Sequence, residues 1–281
     1  MASRFWVGGS GDWDASTTTH WAATSGGAGG QSVPGASDTV TFDGNSGGGT
    51  VTRSVDVSLV SFAFGAFTGT LDFAAHNKNM TLSTNNSAFN GSGTGTRTIN
   101  LGNGIYTFTN GSTGTPVNMG TTTNLTFNAN GSTLVFSGTL ASPGTVITFT
   151  NTLTWNAIQF GAQPNGGVLR FSAALNAASL SATGPGVIEL NTSTLTIGTL
   201  TLTGSASGLI LVRSGTEGTS RTLSVASNAP TMSYCAFRDM TGAGGASFIA
   251  NNSFDLGNNS GITINGPSGG GHIATRQQLG M

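Results

Sequence analysis

Charge is scarce in this sequence. Asp, Glu, Lys and Arg make up 7% of its 281 residues, against about 25% in an ordinary soluble protein. The formal net charge is −1, and cations stand singly, as at Arg53, Lys78, Arg97, Arg170 and Arg213. Nucleic-acid binding needs a run of cations to displace counterions from phosphates, so this balance argues against it. Cysteine is nearly absent. The single Cys235, in the apolar run MSYCAF, excludes an internal disulfide framework and reads as a buried thiol rather than a nucleophile. No window approaches the ~18 apolar residues of a membrane-spanning helix. The opening MASRFWVGG lacks the basic start and apolar stretch of a secretory signal. The expectation is a chain made and folded in a cytoplasm, with no membrane insertion. Apolar stripes at i, i+3, i+4 are missing too, which predicts very little helix.

What the sequence has instead is glycine and short alternating runs. The 45 glycines follow no three-residue period, so collagen is excluded. A low-charge chain rich in Gly, Ser and Asn would fit disorder, but the apolar residues are not diluted evenly. TVTFD (39–43), TLVF (133–136), VITFT (146–150) and TLTIGTLTLTG (194–204) alternate small polar with apolar residues. That period of two belongs to strands with one face in a core.

Repetition then sets the architecture. The pairs Leu71/Phe73, Ile99/Leu101, Leu125/Phe127, Ile147/Phe149, Leu169/Phe171, Ile188/Leu190, Ile210/Val212, Tyr234/Ala236 and Ile262/Ile264 recur every ~19 to ~28 residues, the length of one coil of a parallel β-solenoid. Punctuators such as NANGS (128–132) and GAQPNGG (161–167) supply corner conformations. A β-sandwich is the competing architecture, but its strands would be longer and its turns hairpin-like. The prediction is an all-β, single-stranded parallel β-helix of roughly 8–9 coils. Residues 44–265 form its body. Residues 266–281, GPSGGGHIATRQQLGM, form a flexible tail or a docking strap.

An open solenoid end exposes a slice of core and a row of unpaired backbone groups. Residues 1–43 carry three of the four tryptophans, and are expected to cap that end through Phe5, Trp6, Trp13, Trp21 and Phe42. The same rings could serve as an attachment surface, because tryptophan is enriched at binding hot spots.

Glycoside hydrolysis needs two carboxylates about 5–10 Å apart. Between Asp72 and Asp239 the sequence offers Glu189 and Glu217 alone, and both read as solvated surface acids. Asp12, Asp14, Asp38 and Asp43 supply oxygen donors of the kind calcium takes, but turn roles are commoner for such residues. GSGTGT (91–96) is followed by no Lys-Ser/Thr or helix, so it is no phosphate loop. The histidines at 20, 76 and 272 are too dispersed for zinc. No catalytic residue, metal or cofactor is predicted.

The N-terminal stretch RFWVGGSGDWDASTTTHWAATSGGAGGQSVPGASDTVTFD resembles the start of a set of uncharacterised tailed-bacteriophage virion proteins. The matching positions are Trp6, Gly8, Gly9, Gly11, Trp13, His20, Trp21, Val33, Pro34, Asp38, Val40, Phe42 and Asp43. The closing YCAFRDMTGAGGASFIANNSFDLGNNSGI is similar to their last repeat, while the middle matches in solenoid character alone. The resemblance implies a head decoration, head fibre or tail fibre or spike. It also implies a homotrimer attached to other capsid or tail proteins and exposed on the virion surface. It supplies no catalytic residues. A structural, non-enzymatic role with N-terminal anchoring is therefore expected, with an adhesin for a host surface glycan, or a polysaccharide depolymerase, as alternatives.

Overall fold

Each alternating run becomes a short strand with its apolar residues turned inward. The computed structural model describes residues 1–142, 144, 146–192, 194–226 and 229–267. Among them, a single turn of 3-10 helix at Phe73–Ala75 interrupts an otherwise all-β chain. The strands stack in parallel into a β-solenoid of about eight turns, as the recurring apolar pairs predict. The expected tail falls outside the described residues from position 268 on.

The chain divides into two compact units, Met1–Asn110 with Thr115–Val135, and Gly111–Gly114 with the chain from Phe136 on. In the first unit a coil contributes three strands. Ser61–Ala63, Thr70–Asp72 and Met80–Leu82 make one coil, and Phe89–Asn90, Arg97–Asn100 and Ile105–Phe108 make the next. Each strand pairs in parallel with its counterpart one coil away. Inward columns follow from the register: Val40, Phe62, Phe89 and Val117 on one sheet, and Val51, Leu71, Ile99 and Phe127 on another. In the second unit a coil contributes strands to two sheets instead, for example Val168–Phe171 and Asn176–Thr183. Coil length varies. Stacked residues in the first unit are 20 positions apart from Val51 to Leu71, 22 from Val40 to Phe62, and 28 from Asp72 to Asn100 to Asn128. In the second they are 19 apart from Arg170 to Glu189, then 24 to Arg213.

That difference corrects the single column drawn from the sequence. Ile99 lies over Phe127, and Leu125 partners Arg97. Ile188 partners Val212, not Ile210. Leu71 and Ile147 belong to different sheets, and Ile262 to a third. A slip of two residues keeps the same face of a strand inward, so composition cannot detect it, and corners of unequal length absorb the error.

Two of the single cations turn inward. Arg53 is 0% exposed and Arg97 2%, and neither forms an ion pair among the described residues. Arg53 donates to the carbonyls of Val55 (2.9 Å), Lys78 (2.8 Å) and Asn79 (2.6 Å), with its guanidinium 4.7 Å over the Phe73 ring. Arg97 donates to the carbonyls of Gly95, Thr123, Thr121 and Gly91. Backbone amides answer some of these corner carbonyls, Val57 that of Asn79 and Gly93 that of Thr121, and a buried carbonyl left unpaired is costly. A guanidinium, with its fork of five donors, satisfies several at once. Burial pushes both arginines below the usual guanidinium pKa. Arg97→Met keeps the apolar stem and removes the donor to the carbonyls of Gly91, Gly95 and Thr123. At about 1–3 kcal/mol per unsatisfied group, it is expected to lower stability by about 3 kcal/mol, read from the urea unfolding midpoint. A loss below about 0.5 kcal/mol would show that water serves the carbonyls equally well.

Candidate functional site

The first unit builds its aromatic cluster by strand alternation. In Ser3–Trp6, Trp6 faces the core while Phe5 shares the opposite face with Ser3. Thr39–Thr41 pairs with this strand on one side, in parallel. Trp21–Ala22 pairs antiparallel on the other and ends the sheet. Trp6, Trp13, Trp21 and Phe42 are all at most 1% exposed. Trp21 sits edge-on to Trp6 and to Trp13, each at 5.1 Å. Trp6 is sandwiched between Phe42 at 5.5 Å and the His20 ring at 4.5 Å. The contacts continue through Phe62 and Phe89 to Tyr106. The structure thus brings four of the five predicted aromatics together inside the core. Phe5 is half-buried and makes no ring contact among the described residues. None of the four tryptophan and phenylalanine rings is left to touch a partner.

Gly11 and His20 explain one part of the N-terminal motif. A Cβ on Gly11 would lie 2.7 Å from His20 Nε2 and 3.1 Å from the Trp6 ring, so glycine alone admits the stacked imidazole there. His20 Nδ1 lies 2.9 Å from the Val7 carbonyl oxygen.

The acids of this segment are committed to turns and ladders. Asp12 accepts from the hydroxyls of Thr52 and Ser54. Asp38 accepts from the amides of Ala2 and Gly35, and Asp43 from that of Asn45. Asp14 accepts from the amides of Thr17 (2.6 Å) and Ser16 (2.7 Å) and from the Thr17 hydroxyl. Among the described residues, no group of three His, Cys, Asp or Glu side chains is placed to hold a metal.

The second unit carries the charge the sequence made look scattered. Arg170, Glu189, Arg213 and Arg238 are register partners on four successive parallel strands of one sheet. Each occupies an outward position between inward neighbours such as Leu169 and Phe171, or Ile188 and Leu190. Glu189 Oε1 accepts from Arg170 Nε at 2.5 Å. Its Oε2 accepts from Arg213 Nε at 3.0 Å, with Nη2 at 2.9 Å. Glu189 is therefore not the solvated surface acid expected of it. Strands about 4.8 Å apart place a guanidinium above and below it, leaving its side chain 5% exposed.

Glu217 does sit on an exposed corner, at 83%, with its Oε1 3.6 Å from Arg238 Nη1. Asp239 is buried, its Oδ2 3.7 Å from Arg238 Nε, and its Oδ1 accepts from Asn258 at 2.7 Å. Arg221 follows the same corner and donates its amide to the Asp239 carbonyl. Asp255 lies one strand further along that sheet. These eight are all the charged residues the second unit has among the described positions. The sequence did carry a signal for this column. The triplets LRF, IEL, VRS and FRD recur at the coil spacing, each placing a charge after an apolar residue.

Cys235 is 0% exposed. Burial pushes its thiol up to about 12, although the Ser233 backbone pulls the other way. An activated cysteine needs the reverse shift. His76 and Lys78 fall in and just after the turn that follows the 3-10 helix, and His272 lies outside the described residues. No protein-family model, curated protein or solved structure matches the chain. No helix among the described residues is long and apolar enough to cross a membrane.

Two tests follow from the N-terminal cluster. Trp21→Ala removes a buried ring contacting Trp6, Trp13 and Phe42, and is expected to cost about 3–5 kcal/mol, read as loss of near-ultraviolet circular dichroism at a lower urea concentration. An unchanged midpoint would mean the cluster is not structural. The amides of Thr17 and Ser16 hold the Asp14 carboxyl down to about 2, from 3.8. The turn is thus fully held above about pH 4 and is released as pH falls through the folded value. The Thr17 amide resonance should titrate with a midpoint near 2, whereas a midpoint near 4 would reject the assignment.

Proposed function

We propose that this chain is a non-enzymatic structural protein displayed on the outside of a bacteriophage particle, as a capsid decoration or a fibre or spike subunit. Its N-terminal segment anchors it, and it self-associates as a homotrimer. The observation that carries the reading is how the outer faces are used. Thr, Ser, Asn and Asp stack into hydrogen-bonded ladders, such as Thr52 on Asp12 at 2.7 Å and Asn128 on Asn100 at 2.7 Å. Ser220, Thr241 and Ser260 form another, at 2.8 and 3.0 Å. A regular, nearly uncharged surface of this kind suits projection and contact rather than turnover. The Trp/Gly-rich opening adds the resemblance to phage virion proteins.

With the rings enclosed, anchoring falls to the exposed loop over residues 23–37, most of whose side chains face solvent. The non-enzymatic half of the reading draws on the acids of the body. Both oxygens of Glu189 accept from arginines, and Glu217 stands on a corner.

Immunogold labelling of particles from cells carrying the gene is the test. Gold on the exterior of intact particles, with the protein co-sedimenting with them, is the expected result. Protein that stays at the top of the density gradient would overturn the assignment. Incubation with bacterial surface polysaccharide should release no reducing ends, and their release would overturn the non-enzymatic half.

A further inference from the structure

The geometry points to an oxyanion seat between Arg213 and Arg238, where a carboxylate or sulfate of an acidic glycan is held. Arg213 and Arg238 are direct partners on adjacent parallel strands. Two cationic side chains thus leave the sheet from backbone positions about 4.8 Å apart, and like charges directly opposite destabilise a sheet when nothing intervenes. On the Arg170 side of the column the problem is solved internally, because Glu189 sits between Arg170 and Arg213 and bonds both. Nothing equivalent serves Arg238. Among the described residues its guanidinium makes no hydrogen bond, and its two nearest carboxylates stay at 3.6 and 3.7 Å. One of them, Asp239 Oδ2, is buried and makes no hydrogen bond among the described residues, while Asp239 Oδ1 accepts from Asn258. The other, on Glu217, belongs to a side chain 83% exposed. Arg213 and Arg238 are 24% and 29% exposed, so both remain reachable.

Arg213 commits Nε and Nη2 to Glu189, so its Nη1 and the Arg238 guanidinium are the donors that can share one planar or tetrahedral oxyanion. In the free protein Glu217 is the nearest stand-in for that ligand. An exposed ion pair contributes only about 0–1 kcal/mol, so a better-placed oxyanion displaces it. The neighbouring chemistry favours a glycan over a nucleic acid. Glu189, Glu217 and Asp239 interleave with the arginines, which repels a dense run of phosphates but tolerates isolated oxyanions. One corner further, the hydroxyl ladder of Ser220, Thr241 and Ser260 offers donors and acceptors suited to sugar hydroxyls.

The seat is a property of the isolated chain. Only the identity of the surface bearing the glycan rests on the display reading above.

Calorimetric titration of the full chain at low salt tests it, with polygalacturonate oligomers, dextran sulfate, neutral dextran and duplex DNA as probes. Binding of polygalacturonate or dextran sulfate, and not of neutral dextran, is expected, and the stronger of the two identifies the oxyanion as carboxylate or sulfate. Loss of one charge-assisted contact in R238Q should weaken binding by about tenfold or more. E217Q, which removes the internal competitor, should tighten it by about two- to fivefold. The proposal is overturned if neither charged glycan binds. It is equally overturned if neutral dextran or DNA binds as tightly, or if E217Q fails to strengthen binding. Should R238Q fail to fold, E217Q decides alone, since its charge lies on an exposed corner. Particle labelling is independent of all these outcomes, so failure of the seat and failure of the display reading are told apart.

Discussion

In a parallel stack each residue is held over its counterpart one coil earlier, about 4.8 Å away, by backbone hydrogen bonds. Every other feature of this protein follows from that constraint. Like residues accumulate over like, so each position in a coil becomes a column, and a column must be chemically compatible with itself. Apolar columns form the core. Hydroxyl and amide columns can donate and accept along their length, which lets Asn100 stand between Asp72 and Asn128. A column of charge is compatible only when the sign alternates, as it does from Arg170 through Glu189 to Arg213. It ceases to alternate at Arg238, and that break is where chemistry directed outward becomes possible.

The same constraint explains the low charge. A cation placed on most columns would face another cation unless its neighbours were adjusted, so scattered charge is disfavoured over much of the surface. Arg53 and Arg97 escape by turning into corners where their guanidinium groups donate to several backbone carbonyls each. The aromatic cluster fills the core beneath the N-terminal strands, where Trp6, Trp13 and Trp21 are buried, and the antiparallel strand Trp21–Ala22 lies at the edge of their sheet.

Much of this was legible before any coordinates. The period-two runs and their recurrence identify a stacked parallel fold, because few other architectures repeat short half-buried strands at such intervals. The inward placement of Trp6, Trp13, Trp21 and Phe42 follows from their number and position. The register was not legible. The sequence pattern places Leu125 and Ile210 over Ile99 and Ile188, where Phe127 and Val212 belong, since a slip of two leaves the facing unchanged. Glu189 looks solvated in sequence for the same reason. Without the register, Arg170 and Arg213 are merely distant in sequence.

By itself the sequence determined the all-β class, the coil-like repetition, the scarcity of charge and the aromatic opening, because these depend on composition and on periods within a few residues. Only the tertiary structure decided which residues stack. It set coils that feed three sheets in one unit and two in the other, buried two arginines among carbonyls, and stacked Arg170, Glu189, Arg213 and Arg238 on one sheet. Stacking depends on the length of every corner. A corner's length is settled by where the next strand finds its backbone partners, which no local pattern records.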